Sequence, residues 1–218
     1  MTGVLVGGAL LFMTSNARSQ TETLAYLSTP GTSITNGDKV FYDFSDISQV
    51  GTLTVPLSDI YVVPVLINGD YGIQFQSALW SLSGADQSYD LSVYFQVTTT
   101  NGQALIEDNA LTVTGGVDNG GATYVDEGIT DTDYNSLASS YVYINATGQN
   151  LQDHETFGGD YAVIEVNKDF DMSTGDDPLG EVNVSHFIQT FSEVPEPSSA
   201  LFLGLGGLAL ACYRRFTR

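Results

Sequence analysis

Basic residues are scarce in this sequence: six Lys and Arg stand against 26 Asp and Glu among 218 residues, which gives a formal net charge of −20. Four of the six lie near the chain ends, so residues 20–193 hold only Lys39 and Lys168 against 25 acids, a charge of −23. Such a surface repels phosphates and anionic lipid headgroups and attracts cations. The composition therefore excludes nucleic-acid binding.

Cysteine is nearly absent, and so are catalytic signatures. Cys212 is the only cysteine, which excludes a disulfide framework, a thiolate metal site and a cysteine nucleophile in the body of the chain. There is no H-E-x-x-H, G-x-S-x-G or G-K-S/T motif. Neither His154, expected in a loop, nor His186, expected on a late strand, has a partner at motif spacing. The sequence does not identify a glycosidase-like pair of acids, and we expect no catalytic activity.

Helical periodicity is also missing from the interior of the chain, where apolar and polar residues alternate instead. In LSVYFQVT, residues 91–98, four apolar side chains point one way: Leu91, Val93, Phe95 and Val97. Tyr94 points the other way with its polar neighbours. Similar segments recur between turn clusters such as Asn68-Gly69-Asp70. Residues 20–193 are therefore predicted to form one all-β domain, an antiparallel β-sandwich or jelly roll.

The chain begins with an apolar run at residues 4–13, which has the length of the core of a secretory signal. Small residues that offer cleavage sites follow it, although no basic residue precedes it. The alternative is a first buried element of the domain. We expect residues 1–19 to be a signal peptide that directs export.

The last residues, 194–218, combine three unlike elements in a fixed order. The segment VPEPSS comes first, and its two prolines impose an extended, exposed conformation. An apolar run follows at residues 200–212, which would be about 20 Å long as a helix and is therefore a short candidate transmembrane span. Three arginines then act as a positive-inside membrane stop: Arg214, Arg215 and Arg218.

This arrangement resembles the PEP-CTERM sorting signal of exported bacterial proteins. The resemblance implies recognition by exosortase, a multi-pass membrane protease, through the segment Val194, Pro195, Glu196 and Pro197. It further implies a membrane-anchored precursor that is delivered to the cell surface or to the extracellular polysaccharide matrix. The alternative is an ordinary tail anchor behind a proline linker. The preceding domain is similar to PEP-CTERM passenger domains in YGIQF, LSVYFQVT and VDEGI, which implies no particular activity.

Two kinds of ligand are suggested by residues of the body. The segment NKDFDMSTGDD places four carboxylates around a glycine turn, and calcium prefers such oxygen ligands: Asp169, Asp171, Asp176 and Asp177. The spacing is not that of an EF-hand, and the alternative is a solvated acidic loop. No other cofactor is indicated.

Aromatic residues are the second kind of candidate, because sugar rings stack on exposed aromatic faces. Trp80 and Tyr94 are the candidates for stacking on a carbohydrate, and packing in the sheet core is the alternative for Trp80.

The sequence thus predicts an exported surface or matrix protein with a structural or adhesive role. The alternative is a carbohydrate-binding β-sandwich module, assisted by calcium or not.

Overall fold

The computed structural model describes residues 20–100 and 105–193. Within them, nearly all regular structure is β-strand, interrupted by one helical turn, α1 (Leu24–Leu27), and one 3-10 turn (Leu57–Asp59). The strands are β1 (Glu22–Thr23), β2 (Ser33–Asn36), β3 (Lys39–Gly51), β4 (Tyr61–Ile67), β5 (Asp70–Gln76), β6 (Ser81–Ser83), β7 (Ser88–Thr99), β8 (Ile106–Asp118), β9 (Ala122–Thr130), β10 (Ser136–Asn145), β11 (Gly148–Asn150), β12 (Gln152–Tyr161), β13 (Val163–Ser173) and β14 (Glu181–Phe191).

Two seven-stranded antiparallel sheets pack face to face. Sheet I has the strand order β1-β4-β5-β14-β8-β12, with β6 pairing with β14, and sheet II has the order β11-β10-β9-β13-β7-β3-β2. The predicted all-β class and antiparallel β-sandwich are confirmed. Strand β13 lies at the centre of sheet II, between β9 and β7.

The predicted alternation explains how the strands of sheet II are placed. On β7 the four apolar residues of LSVYFQVT are buried against sheet I, while Tyr94 lies on the opposite face. On β13, Val166, Phe170 and Met172 are buried, whereas Asp169 and Asp171 face outward. Each strand of this kind buries one face and solvates the other, as antiparallel sheets commonly do.

Aromatic rings from both sheets form the centre of the core. Trp80 stacks on Phe187 of β14 with ring centroids 5.4 Å apart, and its ring lies 4.7 Å from that of Phe170 of β13. Trp80 is only 1% exposed. This corrects the expectation for Trp80 as a stacking surface for sugars, because its ring faces are covered by core residues.

No helix within residues 20–100 and 105–193 is long and apolar enough to span a bilayer. The predicted signal peptide, the extended VPEPSS segment, the predicted transmembrane helix and the arginine stop all lie outside the described residues.

Candidate functional site

The outward surface of sheet II, which we call the outer face, collects the polar side chains of β13 and its neighbours. The strand register aligns them in rows across the sheet. Asp171 lies between Asp90 of β7 and Tyr124 of β9, and Tyr124 pairs in turn with Tyr143 of β10. The next row consists of Ser92, Asp169, Asp126 and Tyr141. Residues from four strands therefore form one continuous surface of carboxylates and phenols.

Four aspartates form the acidic half of this surface: Asp90, Asp126, Asp169 and Asp171. Ser92 Oγ donates a hydrogen bond of 2.9 Å to Asp169 Oδ1. Partial burial, followed by repulsion from the other three carboxylates, raises the pKa of Asp171 to about 6. Partial burial and the charge of Asp169 also raise the pKa values of Asp90 and Asp126. Asp171 therefore takes up a proton at a pH where an isolated aspartate is ionised.

The two lysines within the described residues do not neutralise these carboxylates. Lys168 follows Asn167 on β13 but points into the core, where it pairs with Glu127. Lys39 is bound to Asp38 and Glu193. The acidic half of the outer face therefore keeps its negative charge and its mutual repulsion.

Three tyrosines form the aromatic half of the outer face. Their ring centroids form a triangle, with Tyr141 6.0 Å from Tyr124 and 5.5 Å from Tyr143, and Tyr124 6.4 Å from Tyr143. The rings of Tyr124 and Tyr141 are nearly parallel, at 14°, and Tyr141 is 39% exposed. Tyr143 is inclined by 30° to Tyr124 and by 32° to Tyr141, and contacts of this kind hold the three rings together as a partly solvated platform.

Tyr94 lies on the same outer face, farther along β7, as its position in the alternation predicts. Gln96 Nε2 donates a hydrogen bond of 3.0 Å to the Tyr94 hydroxyl and one of 3.2 Å to Glu165 Oε1. Partial burial, with a further contribution from Glu165 and Asp43, raises the pKa of Tyr94 to about 12. Tyr94 is thus a half-buried phenol that stays protonated and whose hydroxyl already has a partner.

Shallow depressions lie at two ends of the outer face. One, of about 330 Å³, is lined by acidic and aromatic residues that include Asp90, Asp171 and Tyr124. The other, of about 450 Å³, is lined by residues of β2, β3 and β7 that include Tyr42 and Asp43. Both depressions are open to solvent.

The four predicted calcium ligands lie on two different elements. Asp169 and Asp171 project from β13, whereas Asp176 and Asp177 follow that strand in an exposed turn. Asp177 Oδ1 accepts a hydrogen bond of 2.8 Å from the backbone N–H of Leu179. In the described ranges, no group of three or more His, Cys, Asp or Glu is arranged to hold a metal ion. Calcium binding therefore stays a prediction without a located site.

His154 forms a pair that sequence spacing does not reveal. The sequence predicted a loop here, but the residue lies on β12, and its Nε2 is 3.1 Å from Asp108 Oδ2 of β8. Asp108 Oδ1 also accepts a hydrogen bond from the backbone N–H of Ser192. The histidine is half exposed. The pair ties the edge strand β12 and the end of the domain to β8, and an exposed pair of this kind contributes little to stability.

A family model identifies the C-terminal part of the chain. The PEP-CTERM protein-sorting motif matches residues 193–215, which confirms the resemblance based on VPEPSS, the apolar run and the arginines. The motif begins where the described residues end. It indicates an exported, membrane-sorted surface protein.

Several solved structures align with the domain. They include the enzymatically active domain of tailspike protein 4 of bacteriophage CBA120, with a TM-score of 0.33, 12% identity, and coverage of 68% of this chain and 19% of that chain. The module TmCBM61, solved with β-1,4-galactotriose, has a TM-score of 0.31, 13% identity, and coverage of 68% and 90%. The mannan-recognising module TmCBM27 has a TM-score of 0.26, 9% identity, and coverage of 72% and 100%.

The chain thus spans about a fifth of the tailspike chain and most of the two modules. Likeness at these scores does not carry function from those proteins to this one. No curated protein matches the sequence.

Repulsion on the outer face predicts a pH-dependent stability. Because the pKa of Asp171 lies above its ordinary value of 3.8, ionisation destabilises the fold above pH 6, and this penalty vanishes as the pH falls below 3.8. Asp171→Asn should raise the free energy of unfolding at pH 7.5 by on the order of 1 kcal/mol, a value discounted for solvent screening, or roughly 2–4 °C in Tm. Thermal unfolding at a series of pH values measures the difference.

The matched control is Asp176→Asn, which removes the same charge from the exposed turn after β13. It should change Tm much less at pH 7.5. An equal gain in the two variants, or an Asp171→Asn gain that persists at pH 3.5, would contradict the repulsion on the outer face.

Proposed function

We propose that the chain is a non-catalytic protein of the bacterial cell surface or extracellular matrix, with a structural or adhesive role. The sorting motif at residues 193–215 carries this proposal, because it indicates an exported, membrane-sorted protein. The domain in front of the motif is a β-sandwich with 25 acids and two lysines over residues 20–193. The strong negative charge of the domain favours solubility and repels anionic polymers, so that binding to such a polymer requires specific contacts on one face.

The absence of catalysis in this proposal is supported by how the titratable groups are placed. The acidic residues of the outer face lie on an open sheet surface, and His154 pairs with Asp108 at a solvated edge. A general acid needs a partner group and a bound substrate held close to it, commonly in a cleft that excludes water. Asp171 is partly buried, but the depression that it lines is open to solvent and does not exclude water.

The sorting part of the proposal is tested by replacing both prolines of the motif, Pro195→Ala and Pro197→Ala together. The change should abolish processing, because it removes both prolines of the segment through which we expect exosortase to recognise the chain, and with them the restriction that proline places on the backbone. Fractionation of the native host should find the variant unprocessed in the membrane and the wild-type protein at the surface or in the matrix.

Pro178→Ala, in the exposed turn after β13, is the matched control and should be sorted normally. Normal processing and release of the double variant would overturn the assignment of VPEPSS as the recognised segment. An intact wild-type chain in the cytosol would overturn the surface location itself.

A second candidate function is carbohydrate binding by the outer face. The observation that favours it is the platform of Tyr124, Tyr141 and Tyr143, which borders the carboxylates of Asp126 and Asp171. Apolar faces of sugar rings stack on such phenols, and neighbouring carboxylates accept hydrogen bonds from sugar hydroxyls. An open surface of this kind suits an extended polysaccharide, and Tyr94 lies on the same face.

This second function predicts that the full chain is retained on at least one polysaccharide of an array and that Tyr141→Ala weakens this retention roughly tenfold, or about 1.4 kcal/mol. Tyr61→Ala is the matched control, since Tyr61 is 41% exposed but lies on β4 of sheet I. It should bind like the wild-type protein. Equal binding by both folded variants, or no retention of the wild-type protein on any polysaccharide, would contradict carbohydrate binding by the outer face.

A further inference from the structure

The core between the two sheets contains an amine, a carboxyl group and a carboxamide that are all fully buried. Lys168 of β13 and Glu127 of β9 stand opposite each other in sheet II, and both side chains have zero exposure. Asn109 of β8 reaches them from sheet I and is also 0% exposed. We call these three residues the core triad.

One carboxyl group holds the other two members of the triad. Lys168 Nζ donates a hydrogen bond to Glu127 Oε2, and Asn109 Nδ2 donates one of 2.7 Å to Glu127 Oε1. Ser140 Oγ of β10 accepts a further bond of 3.1 Å from Asn109 Nδ2. The amine and the carboxamide are therefore each bonded to one of the two oxygens of the same acid.

The apolar surroundings favour the uncharged forms of the lysine and the acid. Burial lowers the pKa of Lys168 and raises the pKa of Glu127, and in both cases it outweighs the attraction between the two charges. The ring centroid of Phe187 lies 5.6 Å from Lys168 Nζ. A neutral amine is the nucleophilic form of lysine, and a protonated carboxyl can donate a hydrogen bond to a carbonyl.

The carboxamide itself is incompletely bonded. Asn109 Oδ1 is buried and has no hydrogen-bond partner among the residues the structure describes. A buried acceptor without a partner is costly. Rotation of the carboxamide by a half-turn about the Cβ–Cγ bond exchanges the positions of Oδ1 and Nδ2. It places Oδ1 next to Glu127 Oε1, where a protonated carboxyl group can donate a hydrogen bond to it.

A purely structural role explains this arrangement poorly, since a fully buried ion pair adds little stability over apolar residues of similar size. We propose that Lys168 and Asn109 become joined by an intramolecular isopeptide bond across the sandwich, with Glu127 as the proton-transfer group. The linked residues belong to opposite sheets and are 59 positions apart in the chain, so the bond closes a long loop.

The reaction requires no other reagent. Lys168 passes one proton to Glu127, and its neutral Nζ attacks Asn109 Cγ while protonated Glu127 stabilises the developing charge on Oδ1. Glu127 then donates this first proton to Nδ2, the bond from Cγ to Nδ2 breaks, and Nδ2 leaves as ammonia while the new N–C bond remains. Glu127 takes the second proton from Nζ and passes it to the ammonia, which departs as ammonium, so that Glu127 returns to its ionised form. Lysine ammonium and carboxamide thus become a secondary amide and ammonium.

A covalent link of this kind acts as a disulfide does, by limiting the unfolded chain. The described domain has no cysteine, since the single cysteine of the chain is Cys212. The proposed bond gives an exported domain a permanent connection between its sheets that no reductant can break.

Peptide mapping of the full chain tests the proposal. The protein is produced in a heterologous cytoplasm, denatured, digested with chymotrypsin and analysed by mass spectrometry. Peptides 106–111 and 162–170 should appear as one branched species, about 17 Da lighter than the sum of the two because ammonia has been lost. Fragmentation should locate the branch at Asn109 and Lys168.

Lys39 is an internal control, because it is equally buried but bonds to the carboxylates of Glu193 and Asp38. Its peptide should remain linear. Asn109→Ala and Glu127→Gln should each abolish the branched species, and circular dichroism shows whether they fold. If the folded wild-type protein yields peptides 106–111 and 162–170 only in linear form, the proposal is wrong whatever the variants do.

Discussion

Strict alternation along β13, the central strand of sheet II, is the constraint on which the rest of the structure depends. Its even-numbered residues point between the sheets and its odd-numbered residues point outward. A shift of one position would bring Asp169 and Asp171 into the core and expose Phe170. The core aromatic contacts, the triad of Lys168, Glu127 and Asn109, and the acidic outer face therefore all follow from one register.

The two lysines of the described residues are separated from the carboxylates of the outer face. Both lysines of the described residues are buried, each against carboxylates, so that the positive charge does not reach the outer face. The outward carboxylates consequently repel one another, and Asp171 holds its proton to a higher pH. The outer face therefore repels anions and exposes phenols and carboxylates as its polar groups.

Features encoded by neighbouring residues could be predicted from the sequence, and features created by strand pairing could not. Period-two patterns gave the β-sandwich and the outward direction of Tyr94, and the linear order of the tail gave the sorting motif. By contrast, the grouping of Tyr124 with Tyr141 depends on the register of β9 with β10. The burial of Trp80 likewise depends on contacts between distant segments. The alternation of β13 turns Lys168 inward, but its pairing with Glu127 depends on the register of β13 with β9, and charge alone would place a lysine at the surface.

A cysteine scan of β13 tests this account most directly. Single cysteines are placed at positions 166–172 in a chain whose only native cysteine has been replaced, Cys212→Ser, and the rate of reaction with a thiol reagent is measured for each folded variant. The account predicts fast labelling at positions 167, 169 and 171 and slow labelling at 166, 168, 170 and 172. Labelling without this alternation, or with the opposite phase, would contradict it.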